Sequence, residues 1–134
     1  MSAVDSSIVV AALVQWHEGH ETARQQAHGQ IVPAHAYFES YAVLTSLPGP
    51  GRLAPLAARE LLAAWFPPER VIAPPADATA GLVERMAASD IGGGAVYDAL
   101  IALTAAASDQ ELHTRDRRAE RTYQRLGVAY RLVA

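Results

Sequence analysis

Four acidic residues stand in sequence contexts where a solvent-exposed carboxylate is not expected. Asp5 follows a short apolar run, and Glu39 and Asp98 each interrupt an apolar helical pattern. Asp116 comes two residues after the segment 111–114, which has the pattern of a short strand. A carboxylate buried among apolar groups is costly unless it is paired or binds a cation. Four such residues from distant parts of the chain therefore suggest that they converge on one cation.

All four side chains offer only oxygen atoms as ligands. This indicates which cation they would bind and which reaction it would support. Clustered carboxylates repel one another, so some of them would stay protonated without a bound cation. A hard divalent ion removes that conflict, and oxygen ligands favour Mg²⁺ or Mn²⁺ over zinc. Such an ion lowers the pKa of water and stabilises in-line displacement at phosphorus. The pattern predicts a hydrolase that cleaves phosphodiester bonds.

Each acid taken alone also has a purely structural explanation. Asp5 and Asp116 each stand where the N-cap of the following helix is expected. Glu39 could point to solvent, and Asp98 could pair with an arginine. The hypothesis of a shared site therefore depends on the four residues acting together.

Other motifs with chemical potential have weaker patterns. His17 and His20 are three residues apart, whereas a zincin motif places its histidines at i and i+4. His35 and His113 are interpreted as partly buried histidines without a catalytic role. The glycine run 92–94 lacks the lysine and hydroxyl residue of a phosphate-binding loop, so we predict a turn that leads into the helix carrying the third acid.

The elements that must position the acids alternate along the chain. Strands are predicted at 1–4, 30–32, 71–72, 111–114 and 128–132, and helices at 6–14, 17–27, 34–47, 53–65, 77–88, 95–107 and 117–126. This alternation favours a parallel sheet covered on both faces. Sites in such sheets lie at the carboxyl ends of the strands, where Asp5 and Asp116 fall. We predict one α/β domain over residues 1–134, with three layers and about five short, mostly parallel strands.

The composition fits an ordinary globular protein and excludes several classes. The 134 residues are 51% hydrophobic and 19% charged, with no cysteine, which excludes disulfides and thiolate sites. A phosphoryl-aspartate domain with a similar sheet would need a lysine, and the chain has none. No apolar run approaches the roughly 18 residues of a membrane span, and no signal peptide is recognisable. We therefore expect a soluble, cytoplasmic protein.

Positive charge is concentrated near the end of the chain. The net charge is −3, but residues 112–131 contain six arginines against two acids, a local charge of +4. A solvated helical face is one explanation of this segment. Beside an acidic metal site, the second explanation is contact with nucleic-acid phosphates, for which Arg115, Arg117 and Arg118 are the candidates.

The segments around the four acids resemble the PIN-domain family, in particular VapC-type toxins. The segments that carry the resemblance are 4–7, 37–40, 93–102 and 112–119. The third of these, Gly-Gly-Ala-Val-Tyr-Asp-Ala-Leu-Ile-Ala, is the best match to a family motif. The order and spacing of the motifs extend from residue 4 to residue 132.

The resemblance implies an endoribonuclease that uses Mg²⁺ or Mn²⁺. It implies that Asp5 and Asp98 are the main metal ligands and that Asp116 completes the site directly or through water. Glu39 would bind metal or position the attacking water, and Thr114 would hydrogen-bond within the acid cluster. The alternative is a catalytically inactive PIN fold that only binds RNA or protein, although the presence of all four acids argues against it.

The resemblance also implies partners. The protein would be the toxin of a toxin–antitoxin pair, a homodimer held inactive by a cognate antitoxin protein. Trp65 and Phe66 are interpreted as core or interface residues that could line a groove for an antitoxin helix.

Overall fold

The helices and strands alternate along the chain. The structure, a computed structural model, describes residues 1–133. Its helices are α1 (Ser6–Leu13), α2 (His20–Ala27), α3 (Ala34–Leu44), α4 (Pro55–Trp65), α5 (Thr79–Ala88), α6 (Ala95–Ala107) and α7 (Glu120–Leu126). Its strands are β1 (Ala3–Val4), β2 (Val32–Pro33), β3 (Val71–Ile72), β4 (Leu112–Thr114) and β5 (Tyr130–Leu132).

All the strand pairs are parallel. Strand β4 pairs with β1 and β5, and β2 pairs with β3. A parallel bridge between Ala3 and Ile31 joins the two groups, and the Val4 N–H donates to the Ile31 carbonyl at 3.0 Å. The strand order is therefore β3-β2-β1-β4-β5, which confirms the prediction of about five parallel strands. Because β1 is central, the residue that follows it emerges in the middle of the sheet's carboxyl edge.

The sheet is buried on both faces, as the three-layer prediction requires. Ala3 and Val4 point to opposite faces, and both are fully buried. Helix α1 packs against α2 and α3, and α6 packs against α7 and α3. Small side chains fill much of α6, which carries the half-buried Asp98 in its first turn.

Several predicted boundaries were wrong by a few residues because local hydrogen bonds end the helices. Helix α2 begins at His20 and not at residue 17, since the Gly19 N–H donates to the His17 ring at 3.0 Å in the preceding turn. Helix α3 ends at Leu44 and not at residue 47. The next residue, Thr45, donates its hydroxyl to the Tyr41 carbonyl at 2.8 Å.

The predicted start of α5 was also displaced. Asp77 lies inside a 3₁₀ turn, Ala76–Ala78, and α5 begins at Thr79 without a side-chain cap. The two prolines before this turn set extended backbone that leads into a tight turn before the α-helix.

The helices of residues 1–133 are short compared with the thickness of a membrane. The longest helix within residues 1–133 is α6, with 13 residues. No helix in this part of the chain is long and apolar enough to cross a lipid bilayer.

Candidate active site

Asp5 lies where β1 ends and α1 begins. Its Oδ1 accepts hydrogen bonds from the backbone N–H of Ser7, at 3.0 Å, and from the Ser7 hydroxyl. Its Oδ2 accepts a hydrogen bond from the Tyr123 hydroxyl at 3.0 Å. The residue is only 4% exposed. Asp5 is therefore the N-cap of α1, as its structural explanation proposed, and it is also a rigidly held carboxylate at the sheet edge.

Burial dominates the ionisation of this carboxyl group. Burial raises the pKa of Asp5 above its ordinary value, while hydrogen bonds from Ser7, Thr114 and Tyr123 act in the opposite direction. Burial and the neighbouring charge of Asp5 also raise the pKa of Tyr123. The phenol therefore stays protonated at neutral pH and serves as a donor to Asp5.

Hydroxyl groups connect the end of β4 to the start of α1. The backbone N–H of Arg115 donates to Ser7 Oγ at 2.8 Å, and the N–H of Asp116 donates to Thr114 Oγ1 at 3.0 Å. Ser7 Oγ and Thr114 Oγ1 lie 3.4 Å apart. This network fixes the backbone that carries Asp116 relative to Asp5.

Glu39 reaches the same edge from α3. Its Oε1 accepts a hydrogen bond from the Ser6 hydroxyl at 3.2 Å, and its Oε2 lies 3.7 Å from Nε2 of His35. The side chain is partly exposed. Glu39 therefore does not simply extend into solvent, because two groups hold it near the start of α1.

Asp98 is the acid on which the charges of the other three act. The pKa of Asp98 is raised to about 6, chiefly by burial and then by the charges of Glu39, Asp116 and Asp5 in that order. Within residues 1–133 Asp98 forms no ion pair with an arginine. Carboxylates from β1, α3, α6 and the segment after β4 are thus close enough to affect one another's charge.

The four carboxylates lie near one another, but they are not arranged around a single point. In the described part of the chain, no group of three carboxylate or imidazole side chains has the spacing that would hold a metal ion. Asp116 caps the following 3₁₀ turn, since its Oδ1 accepts the N–H of Arg118 at 2.9 Å. Mutual repulsion opposes closer approach of such groups unless a cation lies between them.

The three arginines have different surroundings. The Arg115 guanidinium packs against Gly19, where an added Cβ would lie 2.1 Å from Nη2. Its Nη1 is buried without a hydrogen-bond partner in residues 1–133. Arg117 and Arg118 are exposed, and the charge of Arg118 lowers the pKa of Asp98. Of the three, Arg118 is the one whose charge reaches the acid cluster.

The weaker sequence motifs have local structural roles. The His17 ring accepts the N–H of Gly19, and Nδ1 of His20 lies 3.1 Å from the Ala11 carbonyl oxygen. The glycines at 92–94 form an exposed turn before α6.

Sequence reasoning missed Ser6, Ser7 and Tyr123, although each donates a hydrogen bond to one of the acids. The serines could have been found, because they directly follow Asp5 at the start of a helix. Tyr123 gives no comparable signal, since a tyrosine in an amphipathic helix has the pattern of an ordinary core residue.

Comparison with known proteins places the chain in a family. Residues 3–124 match the model of the PIN domain family. Ribonuclease VapC40 of Mycobacterium tuberculosis strain CDC 1551 / Oshkosh is 46% identical over 134 residues, which cover 99% of each protein. Ribonuclease VapC27 of M. tuberculosis strain H37Rv is 42% identical over 128 residues, which cover 94% of this chain and 92% of that protein.

A solved structure shares the fold at much lower identity. FitAcB from Neisseria gonorrhoeae has a TM-score of 0.68 to this chain and is 16% identical, with 97% of this chain and 96% of that chain covered. The likeness at this identity concerns the fold alone. The family model and the two relatives, which match nearly the whole length, show that this chain belongs to the PIN-domain family and is of the VapC type.

Proposed function

We propose that the chain is an endoribonuclease that hydrolyses RNA phosphodiester bonds with Mg²⁺ or Mn²⁺. The main support for this proposal is that the charges of Glu39, Asp116 and Asp5 all act on Asp98. The four carboxylates therefore lie near one another. Four carboxylates at one edge of a parallel sheet are a suitable ligand set for a hard divalent cation. The names of the relatives, both called ribonucleases, support RNA as the substrate.

The chemistry of the donor set suits such an ion, whereas the spacing within residues 1–133 would have to tighten around it. Asp5, Asp98 and Asp116 are the proposed ligands, and all supply oxygen atoms. Asp98 has no competing ion pair in residues 1–133, and with a pKa of about 6 it is mostly ionised at neutral pH. When bound, a divalent cation would neutralise these carboxylates, lower the pKa of a water molecule and offset charge on the phosphate.

The residues of this chain have distinct proposed roles around that chemistry. The hydrogen bonds from Ser7 and Tyr123 hold the Asp5 carboxylate in one orientation, as outer groups commonly do for metal ligands. Glu39, held by Ser6 and partly exposed, is placed to accept a hydrogen bond from the attacking water. Thr114 hydrogen-bonds within the cluster and orients the segment of Asp116.

The arginines after β4 are the proposed contacts for RNA phosphates. Arg117 and Arg118 are exposed, and the charge of Arg118 acts on Asp98. Arg115 is proposed with them, although its guanidinium lies against Gly19. Phosphate contacts made by arginine would weaken as the salt concentration rises.

Removal of divalent metal tests the proposed chemistry. Purified protein incubated with total cellular RNA should cleave it in Mg²⁺ or Mn²⁺, lose that cleavage in EDTA and regain it when Mn²⁺ is added in excess. The reason is that the carboxylates alone cannot neutralise the charge that develops at phosphorus. The Asp98→Asn variant, purified in the same way, controls for a contaminating ribonuclease. Cleavage at the full rate in EDTA would contradict the metal mechanism.

We also propose that the protein is the toxin of a toxin–antitoxin pair. A groove between α1, α2 and α4 supports binding of an antitoxin segment, because Trp16 and Trp65 lie along it with Leu61. The Arg24 guanidinium lies 5.7 Å from the Trp65 ring centroid in the same groove. Phe66, in contrast, is buried in the core and does not line this groove. An amphipathic helix is the partner that fits this groove, because the groove's apolar side chains lie beside polar ones such as Gln15 and His20.

A second apolar surface supports the proposed homodimer. Phe38, Tyr41 and Leu56 are exposed and line a groove between α3 and α4. Exposed apolar patches of this kind mark protein–protein contacts in soluble proteins.

Growth of expressing cells tests the toxin proposal. Induction of the wild-type protein should halt growth, because unrestrained RNA cleavage depletes the RNAs that translation needs. Co-expression of the small protein encoded beside it should restore growth. Asp98→Asn, expressed at the same level, should be harmless. Normal growth of cells that contain folded, active wild-type protein would count against the toxin role.

A further inference from the structure

Two aromatic rings stack beside the acid cluster. The rings of His35 and Tyr97 have centroids 5.0 Å apart and are nearly parallel, at 8°. His35 lies in the first turn of α3, one turn before Glu39, and its Nε2 is 3.7 Å from the Glu39 carboxylate. Tyr97 lies in the first turn of α6 and directly precedes Asp98. The stack therefore connects the two helices that carry the second and third acids.

Tyr97 is exposed although it is aromatic and held in place. It is 53% exposed, and its hydroxyl forms no hydrogen bond within residues 1–133. His35 covers one side of the ring, so the exposed surface lies away from the histidine. Phe38 is also exposed, but it lines the apolar groove between α3 and α4. Tyr97 does not line that groove; it stacks on His35, whose Nε2 lies 3.7 Å from the Glu39 carboxylate.

An immobilised, exposed ring beside a phosphodiester site suits an unpaired base. Proteins that bind single-stranded RNA stack bases on aromatic side chains, because every base has a flat π-face. A ring that is already fixed by a stacked neighbour loses little side-chain entropy when it binds.

We propose that Tyr97, supported by His35, stacks on an RNA base next to the phosphate that is cleaved. This inference rests on the proposed ribonuclease function and assigns Tyr97 as a substrate-positioning residue. The contact requires a base that is free of pairing, so it favours single-stranded segments and loops over duplex RNA. Stacking by itself tolerates all four bases, so Tyr97 selects RNA conformation more than sequence.

Binding of RNA with and without bases tests the contact directly. The probes are a short oligoadenylate and an abasic oligoribonucleotide of the same length, measured by fluorescence anisotropy in Mn²⁺. All proteins carry Asp116→Asn to suppress cleavage. The parent protein should bind oligoadenylate on the order of tenfold more tightly than the abasic probe. Adding Tyr97→Ala should remove this preference, whereas adding Tyr97→Phe should keep it, because the ring is retained.

A matched variant and kinetics separate stacking from a general structural effect. Val83→Ala removes a 59% exposed apolar side chain from α5, which carries none of the four acids, and should leave the base preference unchanged. In proteins without the Asp116 substitution, Tyr97→Ala should raise KM for a single-stranded RNA on the order of tenfold and change kcat little.

Several results would overturn the inference. These are an unchanged base preference in Tyr97→Ala, an equal loss in Val83→Ala, or a loss in Tyr97→Ala accompanied by a change of molecular mass in light scattering. The last result would place Tyr97 in a contact between protein chains. Absence of RNA cleavage by the wild type would refute the proposed ribonuclease function instead, and the binding comparison still decides whether Tyr97 contacts a base.

Discussion

Asp98→Asn should abolish RNA cleavage and leave the fold intact. The substitution removes the charge that interacts with Glu39, Asp116 and Asp5, but it preserves the volume of the side chain. Loss of a metal ligand or an essential carboxylate costs at least about 100-fold in activity. Initial cleavage rates in Mn²⁺ and a circular dichroism spectrum measure the two parts of this expectation. Wild-type activity in the variant would refute the role assigned to Asp98.

The same variant should be more stable than the wild type when no metal is bound. The pKa of Asp98 is raised from 3.8 to about 6 in the folded protein. Between these values the folded state binds the proton more tightly than the unfolded chain, so wild-type stability falls as pH rises from about 4 to about 6. Asparagine has no such proton. With allowance for solvent screening of a half-buried group, the variant should gain about 1–2 kcal/mol at pH 7.

Urea unfolding in EDTA across this pH range measures the difference between the two proteins. The gain should become small near pH 4 and vanish at lower pH, because Asp98 is then protonated in the folded state and increasingly in the unfolded chain. Asp77→Asn is a suitable control, because Asp77 is exposed in the turn before α5 and remote in sequence from the other acids. If Asp98→Asn and wild type show the same dependence of stability on pH, the electrostatic interaction described here is absent.

Tyr123→Phe should weaken both the fold and the activity. Tyr123 is fully buried, and its hydroxyl donates to Asp5 Oδ2 at 3.0 Å. Without it a buried carboxylate oxygen loses its donor, at a cost of about 1–3 kcal/mol. The pKa of Asp5 should rise further, since this hydrogen bond lowers it. A metal ligand that loses such a partner commonly loses about 10- to 100-fold in metal affinity or activity.

Tyr130→Phe is the matched control for this substitution. The Tyr130 ring packs 5.5 Å from that of Tyr123. Its hydroxyl donates to Glu120 and accepts from Gln124, each at 2.9 Å, and within residues 1–133 it bonds none of the four acids. Its loss should change unfolding free energy and cleavage rate much less. Thermal unfolding, Mn²⁺ titration and cleavage rates compare the two variants. Equal effects of Tyr123→Phe and Tyr130→Phe would show that the bond to Asp5 has no special importance.

The amino-acid sequence by itself determined the class of the fold and predicted the four carboxylates of the candidate site. Asp5, Glu39 and Asp98 were recognisable because each interrupts or ends an apolar pattern, and such patterns are local properties of the chain. The alternation of short apolar runs with longer helical segments determined the parallel α/β class for the same reason. Local rules also predicted that residues after β1 and β4 would meet at one edge of the sheet.

The tertiary structure decided how those residues are held. Tyr123 donates to a carboxylate 118 positions earlier in the chain, and Ser7 Oγ accepts the N–H of Arg115 from 108 positions away. The His35–Tyr97 stack likewise depends on the packing of α3 against α6. Such contacts follow from strand order, register and the rotation of packed helices. Those features arise from the sum of many long-range interactions, and no periodicity within a single segment encodes them.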